Sequence, residues 1–137
     1  MIMAYRRRIV QAILDGLDSC SDIKAVFWWY SDQIEPDNLP AVNVLDRSDA
    51  ITHEYNTDHH TLHIDVDIYA ATASDAVDLV DVVKDTILQS LGSLVTNVSV
   101  ESVTIDKHSE STEVYIATLQ VAAYYITNNE MEVYDVE

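Results

Sequence analysis

Cysteine, glycine, proline and basic residues are all scarce in this chain. Its 137 residues include one cysteine, two glycines and two prolines, and seven lysines and arginines stand against 24 aspartates and glutamates. Each shortage removes a class of protein. A single cysteine, Cys20, excludes an internal disulfide and any multi-cysteine metal site, and it reads as a small packing residue rather than a nucleophile. Two glycines leave no Gly-rich loop to cradle a phosphate. The formal net charge of −17 argues against direct tight binding to nucleic acid or to an anionic membrane, because affinity for phosphate rests on Lys and Arg. No apolar run approaches the ~20 residues of a membrane span. The amphipathic stretch after Tyr5-Arg6-Arg7-Arg8 carries Asp15 and Asp18, unlike a signal peptide. A chain made and kept in the cytoplasm is the expectation.

What is present organises itself around His60 to Gly92. Leu62, Ile64, Val66 and Ile68 alternate with Thr61, His63, Asp65, Asp67 and Tyr69, the period of a strand with one buried face. Ala71-Thr72-Ala73 turns the corner, with Ser74 expected to cap the helix that follows. Ala76, Val80, Val83 and Ile87 recur at helical spacing, Val77 and Leu91 widen the stripe, and Gly92 is expected to end it in a left-handed conformation. Asp78, Asp81 and Asp85 form the solvated face of that helix.

The rest of the chain reads as cover for this unit. Residues 4–19 predict a first helix with Ile9, Val10, Ile13, Leu14 and Leu17 on one side. Residues 24–30, KAVFWWY, predict a strand; neighbouring side chains on a strand point to opposite faces, so one of Trp28 and Trp29 needs a cover other than the core. Residues 39–45 predict a second strand with Pro40 at its start. Residues 46–59, including Tyr55, are polar and read as a long loop or hairpin arm. Two final strands are expected over 95–106 and 113–127. The last is apolar on both faces, with Ile116 and Tyr124 on one side, and so wants a neighbouring subunit. The expected fold is α+β, ordered α-β-β-β-α-β-β, with about five mostly antiparallel strands and both helices on one face. It spans residues 1–127 as one domain, followed by an acidic tail over 128–137 with Tyr134 and Val136 available to dock on a partner.

Chemistry finds little to hold. His59, His63, Asp65 and Asp67 share a strand face and are the metal-ligand candidates, but residues two apart on a strand stand about 6.5–7 Å from each other, too far to chelate one ion. His53 and Glu54 are the only obvious additional ligands. Asp106, His108 and Ser109 sit too close in sequence for triad geometry. The expectation is no enzyme and no cofactor. The polar stripe keeps a metal-binding or enzymatic alternative open, and the acidity keeps open that of a decoy for a nucleic-acid-binding protein. Arg6, Arg7 and Arg8 hold three of the seven basic residues and form a basic spot suited to an acidic neighbour.

An amphipathic helix, an LPAVNV strand, an HTLHIDVDIYA strand feeding an acidic-faced helix, and a closing IATLQVAAYYI strand together resemble the tail terminator (tail completion, minor-tail-protein-U-like) proteins of long-tailed phages. The resemblance implies a virion protein, assembled in the host cytoplasm, that forms a homohexameric ring at the head-proximal end of the tail. Its partners would be further copies of itself, the tail tube protein and a head–tail connector or neck protein. DNA would pass through the ring without being gripped. A head-completion or connector protein of the same particle is the alternative. The interface residues expected under this reading are Arg6, Arg7, Arg8, Trp28, Trp29, Tyr55, Asp78, Asp81, Asp85, Ile116 and Tyr124.

Overall fold

A computed structural model describes residues 4–32, 34–107 and 114–128. His108, Ser109, Tyr134, Val136 and the acidic tail beyond Asn128 lie outside the described residues. In chain order the elements are α1 (Tyr5–Asp18), β1 (Ala25–Trp28), β2 (Ala41–Glu54), β3 (Thr57–Ala70), α2 (Ala73–Leu91), β4 (Asn97–Lys107) and β5 (Tyr115–Asn128). They form the expected α+β fold, with one five-stranded sheet in the spatial order β1-β2-β3-β5-β4. β1 runs parallel to β2, while the other three pairings are antiparallel, so the sheet is mixed. The described part of the connection from β1 to β2 includes a 3₁₀ turn at Pro36–Asn38 and a cis Leu39–Pro40 bond.

Both helices lie on one side of the sheet. α1 packs over β1 and β2, α2 over β3, β5 and β4, and the two touch each other. β3 is central, and Leu62, Ile64, Val66, Ile68 and Ala70 disappear into the core beside Ile9, Ile13 and Leu17 of α1. Each such side chain contributes about 1.5–3 kcal/mol of gross burial energy, which makes the strand's register hard to slip. The opposite face of β3 is only half-buried. The same holds for β5, whose second face is not dry: Gln120 and Ile126 are exposed, and Ile116, Thr118 and Tyr124 are half-buried.

Three local expectations change. Thr72, not Ser74, caps α2, its Oγ1 accepting from Asp75 N at 3.0 Å, because the backbone is still extended at Thr72 and already helical by Ala73. Thr72→Ala is therefore expected to cost about 1 kcal/mol in a urea titration, and Ser74→Ala only a few tenths. Gly92 keeps right-handed angles (φ −56, ψ −33), and Leu94 N and Val95 N both donate to Leu91 O to close the helix without a left-handed residue. Leu79 takes a place in the buried stripe, while Val77 is exposed.

Residues 46–54 and 57–59 are strand throughout. β2 and β3 continue, fully paired, to Glu54 and Thr57, and β5 follows β3 out to Asn128. Asn56, at φ 68, makes the two-residue connection, since Asn tolerates left-handed angles in tight hairpins. The 14-residue strands span about 45 Å at ~3.3 Å per residue. β1 ends at Trp28, opposite Val44, so from Leu45 outward β2 is itself an edge of the sheet.

Candidate functional site

Where β1 stops, three side chains converge on one carboxylate. Trp28, the last residue of β1, lies opposite Val44 and so faces the helix layer. A continuing strand would turn Trp29 to the other face. Instead Trp29 adopts φ 55, a left-handed conformation that a bulky side chain rarely takes without compensation. The compensation is visible: Trp28 Nε1 and Trp29 Nε1 donate to the same Oδ1 of Asp46, at 2.8 and 2.9 Å. Arg6 Nε reaches across from α1 to Asp46 Oδ2 at 2.9 Å, and its Nη2 donates to the Asp46 carbonyl at 3.0 Å. Asn43 holds the strand exit, accepting from Tyr30 N and donating to Tyr30 O.

The electrostatics follow from this geometry. Burial on its own would raise the Asp46 pKa, but the hydrogen bonds from Trp28, Trp29 and Arg6 outweigh it and hold the carboxyl below its ordinary value. Two further guanidiniums cover the indoles: Arg7 stands 4.6 Å from the Trp28 ring centre and Arg47 5.2 Å from that of Trp29. Arg47 also pairs with Asp65 at 2.9 Å. Trp28 and Trp29 thus lie at one corner, held and capped by their own chain, with part of each surface still open. Arg8 lies over Tyr5.

Sequence reasoning missed Asp46. The signal is a β-bulge: the β2–β3 register shifts between Asp46 and Ser48, leaving Arg47 as the extra residue. Asp46 pairs with Ile64 and Asp49 with Leu62, so two aspartates three apart both face the helix layer. Asp49 anchors a second cluster beneath the arm. His60 Nδ1 lies 3.1 Å from Asp49 Oδ2, His60 Nε2 lies 2.8 Å from Thr127 Oγ1, and Tyr125 OH donates to Asp49 Oδ2 at 2.6 Å. The His60 and Tyr125 rings stack at 4.3 Å, Tyr5 packs on Tyr125 at 5.3 Å, and the Tyr5 hydroxyl donates to the Leu94 carbonyl. Burial, followed by the bond to Asp49, pushes the Tyr125 phenol far above its usual pKa, so it stays a donor. This buried polar network ties the base of the arm to α1.

The other candidates are dispersed. On the face away from the helices, Asp65 is taken by Arg47, Asp67 accepts from Thr118 at 2.8 Å, and His59 lies 3.5 Å from Glu54. His63 lines a shallow cleft of about 290 Å³ with Arg47, Asp65, Glu101 and Gln120. His53 pairs with Asp58 near the arm's end. Among the described residues no three His, Cys, Asp or Glu side chains are grouped to hold a metal ion. Asp78, Asp81 and Asp85 are exposed along α2, and Asp78 lines an open cleft with Asp22 and Pro40. Tyr55 stands almost wholly in solvent at the arm's turn, 91% exposed, with Ile51 and Ile126 exposed nearby.

The fold and surface define a small two-layer α+β protein with a half-open sheet face, a projecting three-stranded arm and exposed aromatic and aliphatic patches. Compared with solved structures, the chain is similar to one described as "Virion of native gene transfer agent (GTA) particle", with a TM-score of 0.60 at 11% identity over 88% of this chain and 96% of that one. At that identity the likeness is one of fold. No family model and no curated protein matches the chain.

Proposed function

We propose that this protein is a structural component of a phage-like virion, a tail terminator that acts by contact and not by catalysis. In this reading several copies, six being the expected number, form a ring on the head-proximal end of the tail tube. The ring stops tube growth and offers the surface on which a connector or neck protein docks. The observation that carries the reading is the near full-length match in fold to a virion chain of similar size. Two features of the molecule support it. The arm ends in exposed Ile51, Tyr55 and Ile126, as an element that reaches a neighbour would. The acidic balance of the chain keeps passing DNA from adhering.

The test is electron microscopy of purified cognate tail tubes mixed with the protein, with light scattering of the protein alone. Tubes capped at one end are expected, with a free mass of 15.4 kDa or about six times that value. Tubes that stay uncapped and keep growing would remove the terminator reading. Binding instead to portal-bearing heads would favour the connector.

A further inference from the structure

Past its meeting with β1, β2 runs on as an unshared edge. β1 pairs with it as far as Val44, and Trp29 then takes the chain off that line, with Tyr30 bonding to Asn43. Among the described residues, β3 alone pairs with β2 from Asp46 to Glu54. The two-residue turn of the arm closes on Glu54 and Thr57 as a hydrogen-bonded pair. Bonding alternates along an antiparallel ladder, so Thr52, Ala50 and Ser48 also bond to β3. The N–H and C=O groups of Asp49, Ile51 and His53 therefore point outward.

Exposed edges are commonly blunted by proline, lysine, a bulge or a charge. The stretch from Ser48 to Glu54 has neither proline nor lysine. Its Asp49 carboxylate is turned inward to His60 and Tyr125, and the bulge at Arg47 comes before the stretch begins. Ile51, at its midpoint, is 47% exposed. An edge of this kind is a template for another strand.

We infer that this edge is covered by the same edge of a second copy, the two β2 strands running antiparallel about a two-fold axis at Ile51. The sequence selects the register. Residues with outward groups must face one another, so the axis passes through a single residue of the stretch. On Asp49 or His53 it would oppose two identical polar side chains, and on Ala50 it would set Asp46 against Glu54. On Thr52 it would leave Ile51 facing His53 and run the pairing into the turn. On Ile51 it packs the exposed isoleucines together and pairs Ala50 with Thr52, Asp49 with His53 and Ser48 with Glu54, opposing no like charges. Such a contact is isologous and cannot repeat around a ring. It joins copies that have not entered one, and it stands independently of the terminator reading. Two strand edges this short bury less than the roughly 1,200 Å² of a stable interface, so the dimer is reversible.

Sedimentation equilibrium over rising protein concentration is the first test, and the mass is expected to climb from 15.4 kDa toward twice that value. Ile51→Lys puts two ammonium groups on the axis without touching the bonds to β3, and should weaken the dimer roughly tenfold. Two single-cysteine variants in a Cys20→Ser background, Ala50→Cys and Thr52→Cys, then fix the register; both positions are exposed in the single copy. Across the axis they form a non-hydrogen-bonded pair with Cα atoms about 4.5 Å apart, within reach of a disulfide, whereas like positions are displaced by two residues and lie beyond it. All variants are first checked for native far-ultraviolet circular dichroism. Under mild oxidation the mixture is expected to form the unlike disulfide roughly tenfold faster than either variant forms its own. A monomer at every concentration overturns the pairing, as does a dimer that Ile51→Lys leaves intact or that shows no preference for the unlike disulfide. A six-copy mass without that disulfide overturns it too, and leaves the ring reading standing.

Discussion

Asp46→Ala is expected to destabilise the protein by about 2–4 kcal/mol. The carboxylate is 7% exposed and accepts from three side chains, Arg6, Trp28 and Trp29. A hydrogen bond to a charged group contributes about 1.5–3 kcal/mol, and the sum is discounted because Arg6 and both indoles keep contact with water. Asp46→Asn retains an acceptor without the charge and should lose about half as much. The two tryptophans of the chain both donate to this residue, so intrinsic fluorescence in a urea titration reports on the site directly. Unchanged midpoints in both variants would show that the carboxylate does not hold the corner. The depressed pKa adds a pH signature. Asp46 is more acidic folded than unfolded, so its contribution is complete above its ordinary value of 3.8 and disappears as pH falls below that toward the folded value. Wild-type stability should therefore fall more steeply below pH 3.8 than that of Asp46→Asn.

Gly16→Leu is expected to cost about 3 kcal/mol, through overpacking at the contact between the helices. A Cβ built at Gly16 overlaps Ser90 Oγ and comes within 3.3 Å of Ser90 Cβ and 3.4 Å of Thr86 Cγ2. The Ser90 hydroxyl can give way only by leaving its 2.7 Å bond to the Thr86 carbonyl. For Gly16→Ala, the helix propensity gained, about 1 kcal/mol, offsets much of the clash. Ser90→Gly should rescue Gly16→Ala and leave Gly16→Leu still impaired, and the coupling between the two sites is read from the double-mutant cycle. Additive effects would show that α1 and α2 do not meet at this pair.

Periodicity carried far in this chain because β3 has no interruption. Its buried and half-buried sides follow the alternation from Leu62 to Ile68 without a break, and the helix stripes follow from spacing of the same kind. The pattern failed wherever the backbone departs from regular geometry. The bulge at Arg47 brings Asp46 and Asp49 to one face, where strict alternation separates them. The left-handed Trp29 sends both indoles to one carboxylate, so the tandem tryptophans do not need another subunit to bind their N–H groups. Of the arginine triplet, Arg6 spans 40 positions to reach Asp46. Nothing local to either residue announces that pair, because it exists only through the packing of α1 on β2.

The sequence by itself determined the element order, the central buried strand, the helix faces and the acidic surface, all of which depend on short-range periodicity and composition. Tertiary structure decided which polar groups meet. The aspartate under the tryptophans and the Asp49–His60–Tyr125 network depend on strand register, bulges and helix placement. Those are set by contacts between residues far apart in the chain, and no window of sequence contains both partners.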